Sequence, residues 1–350
     1  MGLPASVLET TPSILPMPRP RLAVDAPALS VVIVNFRQWA NTAQLTQQLR
    51  QAQSVQQDRA EVVIVDNHSP AHAWMRRMRR WSGVSLRRFG RNRGFARAVN
   101  EGCRLGRGEW VLLLNPDMRV EPGFLDRVME LMQSLEQSSP QVGIVGFRLR
   151  HDDGSLQASA GQFPTLRSTL LGLCRSRKTR KCQPVDGNQR REVAWLTGCC
   201  LLIRRTCLEQ LGGFDESYFL YYEDVDFCQR ARQLGWSVVY DPSLEAVHFS
   251  PLHLRAVPPP LRLMTRHALL TYSEKHWSKW QTHLLGRIIR LEAWYRGILA
   301  RTKQQPDAAE AYQRLGMLAR ELMQGQPQEA RRHIRWAARQ LETAALADDR

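Results

Sequence analysis

The chain has 350 residues, 43% of them apolar, and 49 Lys and Arg against 33 Asp and Glu, for a formal net charge of +16. Such a length holds one large packed domain or two smaller ones, and such a charge calls for an anionic partner: nucleotide phosphates, an acidic lipid leaflet or nucleic acid. The longest apolar runs, "VVIV" and "WVLLL", fall far short of the ~18 residues of a membrane-crossing helix. Seven cysteines without a CxxC pair predict neither a disulfide framework nor a zinc site, and a reducing cytosolic setting is expected.

Residues 1–28 carry Pro4, Pro12, Pro16, Pro18, Pro20 and Pro27 and no charged start followed by an apolar core. A flexible Pro-rich tail without a signal peptide is expected there. Next come "LSVVIVNF" (29–36), a polar helical stretch "WANTAQLTQQLRQAQ", and "AEVVIVDNHSP" (60–70). Two short β-branched runs flanking a helix predict a βαβ unit with a parallel sheet. A further helix is expected over "GFARAVNEGCRLG" and a buried strand over "EWVLLLNPD" (109–117). "VGIVGFRL", "EVAWLTGCCLLIRR" and "WSVVYDP" read as later strands, and the basic stretch 174–191 as a mobile loop. After "VPPP", from about residue 258, the pattern is helical to the end. Neither a GxGxxG nor a P-loop is present, so a nucleotide would have to be held another way.

Strands that are apolar throughout and end in Asn or Asp place those side chains at the carboxyl edge of the sheet, where open α/β folds bind ligands. Three strand ends do so: Asn35, Asp66-Asn67, and Asn115-Pro116-Asp117. Each residue also suits a turn or helix cap; together they would line one crevice. A carboxylate at Asp66 can accept the imide N–H of uracil or thymine, with guanine left open. Asp117 can give oxygen to a hard divalent cation that shares its shell with phosphates and water. Asn92, Arg93 and Gly94 precede a helix, as a cap, an anion site, or both.

In "YFLYYEDVDFCQR" (218–230), Glu223, Asp224 and Asp226 stand behind Tyr218, Phe219, Tyr221 and Tyr222. The stretch reads as a helix starting near Glu223, its first-turn acids favoured by the dipole and Asp226 spaced i, i+4 from Arg230. Capping explains the acids but not the aromatics, which suit a sugar-stacking wall.

"SVVIVNF", "VIVDN", "NRGFARAVNEG", "EWVLLLNPD", "WLTGCCLLIRR", "GGFDESYFLYYEDVDFCQRARQLGW" and "VHFSP" follow in one order over residues 29–251. This series resembles the GT-A fold glycosyltransferases of family 2, most closely their rhamnosyltransferase-like branch. The resemblance implies an α/β fold with a Rossmann-like, mostly parallel sheet and a C-terminal helical extension. The domains would be a nucleotide-binding half (29–120), an acceptor-binding half (121–257) and a helical region (258–350). The implied activity is inverting transfer of a single sugar, with rhamnose a candidate, from a dTDP- or UDP-linked donor. The acceptor would be a hydroxyl of a glycan or lipid-linked glycan in cell-surface polysaccharide synthesis, at the cytoplasmic, inner face of the membrane.

By the same resemblance, Asp117 of "NPD" would hold Mg²⁺ or Mn²⁺ with help from Asn115, and His248 would add a metal or diphosphate contact. Asp224 matches the base that takes the acceptor proton, with Glu223 beside it. Nucleotide contacts are expected at Asn35, Asp66, Asn67 and Asn115, and along the turn and helix at Asn92, Arg93, Gly94 and Asn100. Acceptor or sugar contacts are expected at Trp195, Thr197, Gly198, Tyr221 and Tyr222. Ala194 stands where relatives often have Asp, and the QxxRW pattern of processive synthases is missing, which favours single addition.

Trp277, Trp280, Leu284, Ile288, Leu291, Tyr295 and Ile298 form an apolar helical stripe among Lys and Arg, across 275–303. It can pack on the domain, on a second subunit of a homodimer, or on a membrane interface. Rival functions are an inactive nucleotide-sugar-binding relative, a nucleic-acid-binding α/β protein and a nucleotidyltransferase. Nucleic acid is not expected, because the aromatics accompany acids that would repel a phosphate backbone. A nucleotidyltransferase's glycine-rich loop is absent; "VNFRQWANT" stands there.

Overall fold

The structure, a computed structural model, describes residues 26–173, 187–249 and 257–348. Most of the expected Pro-rich tail, residues 174–186 of the basic loop, and Ser250 and Pro251 of "VHFSP" lie outside the described residues.

The chain runs through β1 (Leu29–Asn35), α1 (Trp39–Arg50), α2 (Gln53–Gln56), β2 (Ala60–Asp66), α3 (Ala73–Met78), β3 (Val84–Arg88), α4 (Phe95–Leu105) and β4 (Trp110–Leu114). There follow β5 (Met118–Val120), α5 (Phe124–Ser138), β6 (Val142–Arg150), β7 (Leu156–Gln157), β8 (Ala160–Gly161) and α6 (Leu166–Leu173). β9 (Arg191–Glu192), β10 (Trp195–Leu196), β11 (Cys200–Arg204), α7 (Arg205–Gln210), α8 (Glu223–Gln233) and β12 (Ser237–His248) complete the sheet region. Four helices close the chain: α9 (Pro259–His276), α10 (Lys279–Thr302), α11 (Pro306–Met323) and α12 (Pro327–Asp348).

The main sheet has the order β3-β2-β1-β4-β11-β6-β12-β5. β3, β2, β1 and β4 are parallel, β11 runs antiparallel between β4 and β6, and β12 is parallel to β6. The unbroken apolar runs arise because both sheet faces are covered. Val31, Ile33, Ile64 and Leu112 face one core, and Val32, Val34, Val63 and Leu113 face the other. The α/β reading, the mostly parallel sheet and the helical C-terminal extension are all present.

"EVAWLTGCCLLIRR" was expected as one strand, and the structure corrects this. The run divides into β9, β10 and β11, with Thr197 to Cys199 unpaired between the last two. Gly198 donates its N–H to the Asp224 carboxylate (3.1 Å), and Trp195 and Leu196 pair with β8 in a separate two-stranded sheet.

α9 joins the two parts of the molecule. Its Ala268 and Tyr272 pack into the core on one side of the sheet, while Leu263, Met264 and Leu270 belong to the cluster of the C-terminal helices. α10 buries Leu285, Ile289, Ala293 and Ala300 in that cluster. The stripe singled out in the sequence therefore does not form the packed face. Trp277 packs inward, but Trp280, Leu291 and Tyr295 point outward at 64%, 65% and 59% exposure. Among the described residues no helix is long and apolar enough to cross a membrane.

Candidate active site

β1 and β2 run in register to Asn35 opposite Asp66, both fully buried. Asn35 Nδ2 donates to Asp66 Oδ1 (2.9 Å) and Ser69 Oγ (3.0 Å), while its Oδ1 accepts from Thr42 Oγ1 (2.8 Å). Its amide is fully used inside the protein, so Asn35 orients Asp66 rather than meeting a nucleotide. The Asp66 carboxylate also accepts from Ser69 N (3.1 Å) and pairs with Arg88 Nε of β3 (3.0 Å). These three donors compensate its burial and leave about one of roughly four acceptor positions for a ligand.

Asn67 and Asn100 also differ from expectation. Asn67 Oδ1 accepts from Arg93 N (2.8 Å) and its Nδ2 donates to Asn92 Oδ1 (2.9 Å), stapling the turn before α4. Asn100 accepts from Phe214 N (2.9 Å) and donates to Phe214 O (2.7 Å), tying α4 to the segment that leads into the aromatic run. Both are buried braces rather than nucleotide contacts. Gly94 has φ +89°, and a Cβ there would lie 2.7 Å from Phe219 O. Only glycine allows that left-handed backbone to press against its neighbour. The turn and the aromatic run are joined by Phe95 N–H donating to Phe219 O (2.7 Å). Arg93 stacks its guanidinium over Phe89, 4.8 Å from the ring centre.

Asp117 and His248 meet where β5 pairs antiparallel with β12, with His248 Nε2 3.3 Å from Asp117 Oδ1. His248 Nδ1 lies 2.9 Å from Gln157 Nε2. Burial opposes charge on His248, but Cys199 and the Asp117 carboxylate outweigh it and push the imidazole up to about 10. Asn115 Oδ1 is buried without a partner among the described residues, an unusual state for an amide oxygen.

No cluster of three or more His, Cys, Asp or Glu side chains that could enclose a metal occurs among the described residues. Asp117 and the orphaned Asn115 oxygen supply a partial donor set, which His248 can join once a bound metal displaces its proton. Such a set fits a Mg²⁺- or Mn²⁺-type ion that completes its shell with phosphate oxygens and water, and does not fit an ion held by protein alone.

α8 begins at Glu223 and places Glu223, Asp224 and Asp226 in its first turn. The three carboxylates have different surroundings. Asp226 is fully buried, bonded to Arg230 Nε (2.7 Å) and His276 Nε2 (2.9 Å) and approached by Tyr218 OH (3.3 Å). Burial acts to raise Asp226, yet His276 and Arg230 hold it below the usual carboxylate range. It is a structural hub. Asp224 instead accepts from Gly198 N at the head of β11 and from its neighbour Val225 N (2.9 Å). Glu223 and Asp224 are both buried, at 6% exposure.

Residues 198 and 199 bridge the two chemical groups. Gly198 N–H holds Asp224, Cys199 O accepts from Asn115 N (2.9 Å), and Cys199 acts on His248. The Asp117–His248 pair and Asp224 thus flank one dipeptide.

Tyr221 and Tyr222 have φ of +72° and +66°, a conformation that bulky residues adopt only under constraint. They are half-buried between the sheet core and the C-terminal helices, with the Tyr222 ring 5.5 Å from that of Tyr272. Tyr218 is fully buried, so the aromatic run is in part an interface with the C-terminal helices and not solely a sugar wall. Trp195 must be reassigned: it is 0% exposed and donates Nε1–H to Gln162 O (3.0 Å). It offers no face to an acceptor. Thr197, half-buried, donates its N–H to Ser159 O (2.8 Å).

Arg88, Gln157 and His276 were not singled out in the sequence, and neither was Arg37. Arg37 follows β1 with φ +58°, bonds Ser69 Oγ through its N–H (2.7 Å), and has Nε and Nη1 buried without an acceptor among the described residues. A charged side chain two residues after "VVIVN", behind Phe36, is the one signal that could have marked it.

Comparison with known proteins agrees with this picture. A family model described as "Glycosyltransferase like family 2" matches residues 27–269. The chain is 32% identical over 247 residues to an N-acetylglucosaminyl-diphospho-decaprenol L-rhamnosyltransferase of Mycobacterium tuberculosis, covering 64% of this chain and 78% of that one. It is 27% identical over 237 residues to the low-salt glycan biosynthesis hexosyltransferase Agl10 of Haloferax volcanii, covering 64% and 68%. A solved structure of GalNAc-T7 with UDP, GalNAc and Mn²⁺ superposes with a TM-score of 0.50 at 15% identity, over 71% of this chain and 48% of that one. That likeness bears on the fold alone, which is GT-A.

Proposed function

The chain belongs to the glycosyltransferase-like family 2, and from that premise we propose that it is an inverting, divalent-metal-dependent transferase adding a single sugar. The donor is a nucleoside diphosphate sugar, dTDP-rhamnose first among the candidates. The acceptor is a hydroxyl of a glycan carried on a lipid diphosphate, as the name of the mycobacterial relative suggests. A lipid-linked acceptor brings the protein to a membrane, at its cytoplasmic face. The chain is a glycosyltransferase; the inversion, the metal, the sugar and the acceptor are the proposal.

The observation that carries it is the Gly198–Cys199 dipeptide, which holds Asp224 on one side and Asn115 on the other. A base and a diphosphate site must lie this close, because the oxygen losing its proton attacks the carbon that the diphosphate leaves. Asp224, fixed by the Gly198 and Val225 N–H groups, accepts the acceptor's hydroxyl proton as that oxygen attacks. Asp66 orients the base through its remaining acceptor position, and the Asn67-stapled turn fixes Arg93 and Gly94 beside the donor. Arg37 directs its unpaired guanidinium N–H groups to donor oxygens, which would satisfy them. Asp117 and His248, with Asn115 Oδ1, would hold Mg²⁺ or Mn²⁺. When bound, that ion neutralises charge on the departing diphosphate.

The test is nucleoside diphosphate release from dTDP-, UDP- and GDP-sugars with Mg²⁺ or Mn²⁺, beside Asp117→Ala. One donor turned over by wild type and not by the variant, with loss on chelation, is expected. A folded protein that neither binds nor turns over any donor would instead be an inactive relative.

A further inference from the structure

α10 presents two apolar faces where a surface helix normally presents one. Leu285, Ile289, Ala293 and Ala300 pack on the neighbouring helices. The opposite face carries Trp280, Leu284, Leu291, Trp294, Tyr295 and Ile298, all exposed, with Trp294 at 66%. At a rise of about 1.5 Å per residue, that outward stripe runs about 27 Å along the helix. Scattered exposed apolar residues need no explanation, but a continuous Trp-containing stripe marks a surface that meets something.

Charge identifies the partner. Lys279, Arg287, Arg290 and Arg301 are exposed on the same helix. Its single acid, Glu292, is turned away and held by Arg262 (3.2 Å), Arg266 (2.7 Å) and Arg296 (3.1 Å). The outward face is therefore apolar, with Arg287 set among its Leu and Trp residues and Lys279, Arg290 and Arg301 along one flank. A helix of this kind lies in the plane of a bilayer interface, Trp and Leu among the acyl chains and Arg at the headgroups. A second copy of the same face would oppose cation to cation.

We infer that α10 docks flat on an anionic phospholipid surface through its Trp280–Ile298 face. The stripe also starts close to the crevice. His276 at the end of α9 bonds Asp226 of α8 (2.9 Å), and Trp277 Nε1–H bonds Pro164 O (2.9 Å). The stripe begins four residues after His276, so its first Trp is anchored next to the helix that carries Asp224. Docking would hold the crevice close to the lipid surface, within reach of a lipid-linked acceptor. This placement rests on the transferase reading; the lipid contact does not.

The experiment is co-sedimentation of the full chain with vesicles of phosphatidylcholine alone or mixed with phosphatidylglycerol. Wild type is compared with W280S/L291S/W294S and with R287E/R290E, and donor hydrolysis and sedimentation equilibrium are run on each. Binding of wild type to the anionic vesicles, reduced tenfold or more in both variants with hydrolysis unchanged, is the expected result. Wild type left in the supernatant, or variants that bind as wild type does, would overturn it. So would a wild-type dimer that the triple variant breaks, since the face would then belong to a second copy. Vesicle binding without turnover of any donor would sink the transferase reading alone.

Discussion

At the carboxyl ends of β1 and β2, Asn35, Asp66 and Asn67 bond to one another, to Thr42, Ser69 and Arg88, and to the turn at Asn92 and Arg93. Around β5, β11 and α8 the polar groups are less complete. Asn115 Oδ1 and Gln157 Oε1 are buried without partners among the described residues, and Tyr221 and Tyr222 hold left-handed backbone. A saturated network is rigid and costs little to keep; orphaned atoms and strain persist only where surrounding structure enforces them. Asn35, Asp66 and Asn67 are thus satisfied within the protein, whereas the Arg37 guanidinium after β1 and the Asn115 and Gln157 amide oxygens have buried atoms without partners among the described residues; on the proposed function, a ligand completes these. Within one turn of α8 the acids differ in partners: Asp226 is held by Arg230 and His276, and Asp224 by the Gly198 and Val225 N–H groups.

That contrast is open to mutation. Asp226→Ala should have the largest effect on stability, about 3–5 kcal/mol, because it leaves Arg230 and His276 facing a buried vacancy; denaturant unfolding would measure it. The same group sets an acid dependence. Its folded pKa lies below the unfolded value, so its stabilisation is complete above the unfolded pKa of about 3.9 and is lost as pH falls through the folded one. Thermal midpoints should therefore fall more steeply toward low pH in wild type than in Asp226→Asn.

Gly94→Ala comes next, at about 1–3 kcal/mol, from the positive φ and the contact with Phe219 O; donor affinity, read by calorimetry, should weaken with it. Asn67→Ala should cost about 1–2 kcal/mol by leaving Arg93 N without its acceptor. Asn115→Ala should be smallest in stability, within about 0.5 kcal/mol, since its Oδ1 has no partner to lose among the described residues. Yet it should weaken Mn²⁺-dependent donor binding. A large stability loss at Asn115 with normal binding would erase the distinction between the two regions.

The strands β1, β2 and β4 and the start of α8 were legible because their signals are local: apolar runs of strand length, and acids at a helix start. β3 was missed because "VSLRR" is half-exposed and alternates, so it lacks the run that marks its neighbours. The partners that define the site are distant in sequence. Arg88 reaches Asp66 across a strand pair, Gln157 meets His248 91 residues away, and His276 meets Asp226 50 away. Residue type alone marked Asn35, Asn67 and Asn100 as polar groups near a crevice, but not whether neighbours would use up their amides. Trp195 misled for a related reason, because a Trp in a short apolar run looks the same whether it faces a crevice or the core.

The most direct measurement is single-turnover transfer by Asp224→Asn beside donor affinity for the same variant. The substitution keeps the shape and removes the proton acceptor, so transfer should fall by about 10²–10⁴-fold while donor and metal bind as in wild type. Transfer at the wild-type rate, in a variant that binds donor normally, would contradict the assignment of Asp224 as the base.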